Sequence, residues 1–195
     1  MRLRKLEFFE SQVSILLEFL NLIELGSFEE YYQSNEADSD ILAGSVISLL
    51  NCSGSCLKVL KLQLSREAPV MEDMDKFLNA VQYLQEFQFE LPRPGPKTAF
   101  VMNDLFLQLS SSLPVLEGGV PGLLPNLQSL KLYSSEGYMF DCIPDIFSWP
   151  HRRMLSLKVD GSWQIELDKH TSHKISHLID EEFKISILRA GKNYF

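Results

Sequence analysis

A six-residue unit recurs along the chain, with apolar residues at its first, fourth and sixth positions. The unit occurs as LRKLEF from Leu3, LKVLKL from Leu57, LQEFQF from Leu84 and LQSLKL from Leu127. Degenerate copies begin at Phe28 (FEEYYQ) and Arg152 (RRMLSL). The alternation in the second half of each unit predicts a short strand whose second and third apolar residues face a core. Between the units, apolar residues at steps of three and four predict helices.

The units follow one another at a nearly regular period. Their first positions lie 25, 29, 27, 43 and 25 residues apart. Four of these five spacings fall within the roughly 20 to 29 residues typical of leucine-rich repeats. The long spacing contains PRPGPKT, a Pro/Gly-rich insertion near 92–98 that we expect to form a loop. The sequence therefore predicts an α/β leucine-rich-repeat solenoid, a curved parallel sheet with helices on its convex side and irregular repeats.

The predicted repeats and the segment after them make up a single domain. Residues 1–160 would contain about six leucine-rich repeats, and residues 161–195 would form a C-terminal capping segment of the same domain. Within the repeats, the segment NDLFLQLSSSL has helical spacing, and we expect Asn103 to be the N-cap of that helix.

Composition and charge restrict the class of partner. With 45% hydrophobic and 23% charged residues the chain is an ordinary globular protein. A net charge of −8 with 18 scattered Lys and Arg argues against nucleic-acid binding. The apolar run Ile15–Leu25 is interrupted by Glu18 and Glu24, so no membrane span is predicted. Three cysteines are too few for a disulfide framework, which favours the reducing cytoplasm or nucleus.

Four segments carry a resemblance to a known family: LPNLQSLKL, CLKVLKLQLS, LPVLEGGVPGLLPNL and the terminal ISHLIDEEFKISILRAGKNYF. They resemble the leucine-rich-repeat region of the large group of F-box proteins in mushroom-forming fungi. In that family an F-box precedes the repeats, binds the Skp1 adaptor and recruits a cullin ubiquitin ligase. The resemblance implies the substrate-recognition part of such an adaptor. No helical Leu-Pro module precedes Leu3, so a Skp1-type partner is expected only if an F-box lies upstream.

The residues that flank the inward leucines predict a binding surface on the concave side of the sheet. Its central column would be Glu7, Tyr32, Lys61, Gln88, Lys131 and Ser156, with Tyr133 beside it. Charges of both signs mixed with exposed aromatic rings are typical of protein interfaces. We therefore predict a non-enzymatic protein-recognition module that binds a protein partner or substrate. The alternatives are a free-standing repeat scaffold and a gene fragment, both without a ligase role.

A histidine cluster is the best candidate for metal chemistry. His170, His173 and His177 lie at i, i+3 and i+7, with Glu181 four residues further on, and would share one stripe of a helix. Three histidines and a carboxylate can bind zinc, although a solvated helix face gives the same pattern. The cluster is therefore an alternative metal site only, and the sequence predicts no cofactor. No G-x-S-x-G, H-E-x-x-H or phosphate-loop motif occurs, so no enzymatic activity is predicted.

Overall fold

One sheet of eight strands organises the computed structural model, which describes residues 5–9, 30–34, 57–63, 78–79, 81–91, 98–111, 123–134, 139–161 and 167–195. The strands are β1 (Lys5–Phe9), β2 (Glu30–Ser34), β3 (Val59–Gln63), β4 (Glu86–Leu91), β5 (Ser129–Ser134), β6 (Ser156–Gly161), β7 (Lys184–Arg189) and β8 (Lys192–Asn193). They lie side by side in chain order; β1 to β7 are parallel, and β8 pairs with β7 antiparallel. The predicted α/β class with a parallel sheet is confirmed.

The alternation of apolar and polar residues explains why these segments form strands. In β5, Leu130 and Leu132 are fully buried, whereas Ser129, Lys131 and Tyr133 are half-buried. Successive side chains of a strand point to opposite faces, so one face of the sheet is apolar and the other polar. The neighbouring strands bury their equivalents, which are Phe87 and Phe89 in β4 and Leu157 and Val159 in β6.

The first leucine of a unit is buried in the turn that leads into its strand, as predicted for Leu57, Leu84 and Leu127. A recurring backbone contact accompanies it. The N–H groups of Gln85 and Glu86 donate to the carbonyl of Lys58 at 2.8 and 2.9 Å. One unit later, the N–H groups of Gln128 and Ser129 donate to the carbonyl of Gln85 at 2.8 and 3.0 Å. Each turn is therefore bound to the turn before it, which keeps consecutive strands in register.

Helices cover the apolar face of the sheet. Within the described ranges they are α1 (Thr98–Ser110), α2 (Cys142–Phe147) and α3 (Lys169–Asp180), and a 3-10 turn, Pro150–Arg152, follows α2. Their apolar side chains join those of the strands in one core, with Met102, Leu105, Phe106 and Leu109 from α1, Ile143, Ile146 and Phe147 from α2, and Ile175 from α3. The helices predicted before Leu57 and the insertion at 92–97 lie outside the described residues.

Helix α1 begins earlier than the sequence predicts. It starts at Thr98, so Asn103 lies inside the helix and is not its N-cap. The reason is visible in the buried stripe, which includes Met102 and therefore extends N-terminal to the predicted start. The side-chain oxygen of Asn103 is buried and has no hydrogen-bond partner within the described ranges.

The sixth unit is two residues out of the predicted register. Strand β6 pairs with β5 so that Ser156 lies opposite Ser129 and Lys158 lies opposite Lys131. The prediction that this unit begins at Arg152 was therefore wrong.

An ambiguity in the hydrophobic pattern explains this error. Leu155, Leu157 and Val159 alternate and all three are buried, so two frames of the repeat fit the sequence. The sheet aligns Leu157 with Leu130 and Val159 with Leu132. Leu155 enters the core directly before the strand, and Met154 is 70% exposed.

The C-terminal segment extends the sheet. After α3, β7 adds a parallel strand to β6, with Lys184 opposite Ser156. The two residues between β7 and β8, Ala190 and Gly191, both have positive φ, 51° and 74°, as in the turns that suit two-residue hairpins. The short β8 then covers the edge of β7 and carries Lys192, and short charged strands are common at the ends of sheets. The sequence analysis did not predict β7 as a strand.

Candidate partner-binding face

None of the described helices packs on the polar face of the sheet, which we call the open face. Its residues form three rows that cross the strands. The central row is Glu7, Tyr32, Lys61, Gln88, Lys131, Lys158 and Ser186. The leading row is Lys5, Glu30, Val59, Glu86, Ser129, Ser156 and Lys184, and the trailing row is Phe9, Ser34, Gln63, Glu90, Tyr133, Asp160 and Leu188. Neighbouring strands of a sheet are about 4.8 Å apart, so each row presents a new residue at that interval.

The predicted site residues are brought together except for one. Lys61, Gln88 and Lys131 occupy consecutive places in the central row and are half-buried. The backbone register puts Glu7 and Tyr32 in the same row, while the side chains of β1 and β2 lie outside the described residues.

The exception is Ser156, and Tyr133 lies where it was expected. Because of the register shift in the sixth unit, Ser156 lies in the leading row beside Ser129. Lys158 occupies the place in the central row that was predicted for Ser156. Tyr133 lies in the trailing row, two residues after Lys131 on the same face of β5.

Two lysines lie side by side at the centre of the open face. Lys131 and Lys158 are directly opposed across β5 and β6, and both are half-buried. The ammonium of Lys158 lies 5.4 Å from the centre of the Tyr133 ring, within the distance of a cation–π contact. Among the described residues, neither lysine forms an ion pair with a carboxylate. Like charges directly opposite each other in a sheet are destabilising, so this pair is not explained by the stability of the fold.

Two acidic residues near the lysine pair on the open face have other contacts, whereas a third, Glu86 opposite Ser129, is exposed. Glu90 accepts a hydrogen bond from the side-chain amide of Gln88, two residues before it, at 2.7 Å. Asp160 accepts one from the backbone N–H of Gly191 at 3.4 Å, in the hairpin between β7 and β8. These contacts hold the carboxylates of Glu90 and Asp160 to their own surroundings, and the two lysines remain adjacent in the central row.

A third cation, Arg152, is buried on the helical side of the sheet. It is fully buried, and its guanidinium donates to the backbone carbonyl of Leu124 at 2.8 Å and to that of Leu123. Burial lowers the pKa of Arg152 to about 10. Its Nε has no hydrogen-bond partner in the described part of the chain. The contacts are to backbone of the turn before β5, so Arg152 has a structural position and is not part of the open face.

The three histidines of the predicted cluster do not form a metal site with other described residues. His170, His173 and His177 are all exposed along α3, and His177 Nδ1 lies 3.4 Å from a carboxylate oxygen of Glu181. Over the ranges that the structure describes, no three His, Cys, Asp or Glu residues form a group that could hold a metal ion. Burial raises the pKa of the Cys142 thiol, which is free and lies in the core.

The sequence did not place two residues of the central row correctly. Lys158 was expected at the last exposed position of its unit and not at the central one, and Ser186 was not assigned to a strand. The signal for Lys158 is the second frame of the Leu155, Leu157, Val159 alternation. The signal for Ser186 is the alternation of Ile185 and Ile187 around it, which is short and follows directly on a helix.

Comparisons with protein-family models, with curated proteins and with solved structures give no match to the chain. Within the described segments, no helix has both the length and the apolar character needed to cross a membrane.

Proposed function

We propose that this chain is a leucine-rich-repeat solenoid that binds a protein partner on its open face, without enzymatic activity. The strict chain order of the strands supports the solenoid. In sheets built from two-sided crossovers the strand order reverses at a switch point. Here each strand follows its predecessor and the described helices lie on one side, as expected when small repeats stack to bury a common core.

The observation on which the binding proposal rests is the composition of the open face. Its described rows contain acidic, basic, amide, hydroxyl and aromatic side chains, most of them half-buried, on the strands of one sheet. Side chains fixed by a sheet lose little conformational entropy on binding. Aromatic residues supply contact area, and charges supply selectivity. We propose Tyr32 and Tyr133 as anchors, with selectivity from Glu7, Lys61, Gln88, Lys131 and, in place of Ser156, Lys158.

A narrower proposal follows from the resemblance to F-box proteins. If an F-box is encoded upstream, the open face is the substrate-binding arm of a ubiquitin-ligase adaptor, and a Skp1-type protein binds the F-box. Otherwise the chain is a free-standing repeat scaffold. The transcript sequence upstream of Met1 distinguishes the two cases.

Site-specific photo-crosslinking in cells that express the protein tests the binding proposal. A photoreactive amino acid is placed at Gln88 or at Ser129 on the open face, and at His173 on the exposed side of α3 as the control. We expect both open-face positions to crosslink to the same protein, and the His173 position not to do so. Equal crosslinking from all three positions, or none from the open face, would contradict the proposal.

A further inference from the structure

We infer that Lys131 and Lys158 together bind an acidic segment of the protein partner, with its Asp or Glu side chains over the centre of the open face. This inference rests on the proposed function and adds the chemical class of the partner. The physical basis is charge complementarity. Two lysines lie directly opposite each other on adjacent strands, which are about 4.8 Å apart. A carboxylate placed over both would convert their repulsion into two attractive, charge-assisted contacts.

The side chains around the pair suit an extended acidic segment. On the leading side, Ser129 and Ser156 lie opposite each other and are half-buried, so two small hydroxyl groups adjoin the lysines. Small side chains leave room for the main chain of a ligand, and a hydroxyl can donate to a carboxylate oxygen. On the trailing side, the Tyr133 ring contacts the ammonium of Lys158 and keeps it near the face.

The rest of the molecule favours a short acidic segment over a nucleic acid. The protein has a net charge of −8, and Glu86 and Glu90 flank Gln88 on the strand next to the lysine pair. A phosphate backbone needs an extended track of cations, whereas the positive charge here is local. The surrounding negative charge also repels an acidic chain that lacks the correct contacts, which increases selectivity at some cost in association rate.

Selection from a random-peptide display library against the full chain tests the inference. The baits are the wild-type protein, the charge-reversed variant Lys131→Glu/Lys158→Glu, and the neutral variant Lys131→Gln/Lys158→Gln. The control is Lys169→Glu/Lys174→Glu, which changes the net charge by the same amount at two exposed positions of α3. Circular dichroism and thermal melting establish that each bait is folded.

The wild type and the α3 control are expected to enrich peptides rich in Asp and Glu. The charge-reversed variant should lose these peptides and enrich Lys and Arg, and the neutral variant should show no charge preference. For one selected acidic peptide, fluorescence anisotropy should show that charge reversal at the pair weakens binding by about tenfold or more, and that added salt weakens wild-type binding.

The inference is overturned if the selected peptides show no acidic preference, or if acidic peptides still bind the charge-reversed and neutral variants as they bind the wild type. It is also overturned if the α3 control loses acidic peptides to the same extent. The crosslinking experiment separates these results from a failure of the proposed function. Suppose that a partner crosslinks at Gln88 and Ser129 but the selected peptides show no acidic preference. The open face would then still be the binding surface, and only the role of the lysine pair in selectivity would be refuted.

Discussion

Arg152 shows how one polar side chain can join two repeats through the core. Its guanidinium donates to the carbonyls of Leu123 and Leu124, which lie 29 and 28 residues earlier in the turn before β5. Burial disfavours its charge and lowers its pKa to about 10. Because the folded pKa is lower than the unfolded one, any stability attributable to this group would rise with pH only above about pH 10. At neutral pH Arg152 is protonated in both the folded and the unfolded state, and its hydrogen bonds determine its net effect on the free energy of unfolding.

Replacing Arg152 by Ala is expected to destabilise the protein by about 3 kcal/mol, because it leaves a cavity and two carbonyls without their donor. Urea unfolding measures the change. The adjacent Arg153 is exposed and provides the control, since its replacement by Ala should change the stability by no more than about 0.5 kcal/mol. Similar losses for the two variants would show that the guanidinium contacts do not join the repeats.

The sequence predicted most residues of the central row, but it did not predict that Lys131 and Lys158 lie opposite each other. Lys61, Gln88 and Lys131 follow from clear repeats, in which a leucine marks each first position. The sixth unit has Arg-Arg-Met before Leu155 and no such marker, so its frame was undetermined and Ser156 was placed where Lys158 lies. The contact between Arg152 and the Leu123–Leu124 turn could not be predicted, because it depends on how two distant turns approach each other.

At the scale of elements, the end of α3 determines how β7 joins the sheet. The N–H of Phe183 donates to the carbonyl of Leu178 at 3.1 Å, and the N–H of Glu182 donates to that of Ile179 at 3.0 Å. This pair of bonds is a Schellman motif, which requires a left-handed residue at the position of Glu182. Glu182 has φ of 66°, and Phe183 then packs edge-on against Phe147 of α2, with 5.4 Å between ring centres.

Replacing Glu182 by Gly is expected to stabilise the protein by about 0.5–1 kcal/mol, because glycine adopts positive φ without steric cost. The matched control is Glu181→Gly, which removes the same charge from the neighbouring residue. Glu181 has φ of −81°, so glycine there should lower the stability by about 0.5–1 kcal/mol. Thermal unfolding followed by circular dichroism gives both values. Shifts of the same sign would contradict the assigned helix end.

The elements that the sequence predicted well are those with a leucine at every expected position. Strands β3, β4 and β5 lie where the repeat places them. Strand β7 was not predicted, because Glu182 occupies the first position of its unit and the alternation of Ile185 and Ile187 spans few residues. Helix α1 was expected to start at Asn103, since a residue favoured at N-caps preceded an apolar run. Met102, directly before Asn103, is buried, so the apolar stripe of α1 continues N-terminal to Asn103.

At the scale of the whole molecule, the strands lie side by side in chain order. This order brings residues that are 25 to 43 positions apart in sequence into adjacent places on the open face. It is also the basis for the lysine pair, since Lys131 and Lys158 belong to different repeats. The period of the sequence predicted the parallel strands in chain order, because units with one small apolar face each can bury it by lying side by side. The identity of a partner is not encoded in that period.

The most direct test of the stacked sheet is a series of spin-label distances along the central row. Cys52 and Cys56 are replaced by Ser and the buried Cys142 by Ala, and one nitroxide is attached at position 186. The second is attached at position 61, 32 or 7, which lie four, five and six strands away. Pulsed electron paramagnetic resonance should give distances that increase in that order, by about 4.8 Å per strand or by less where the sheet curves. Distances that do not follow the number of strands would contradict the stacking of the repeats and the continuous open face that depends on it.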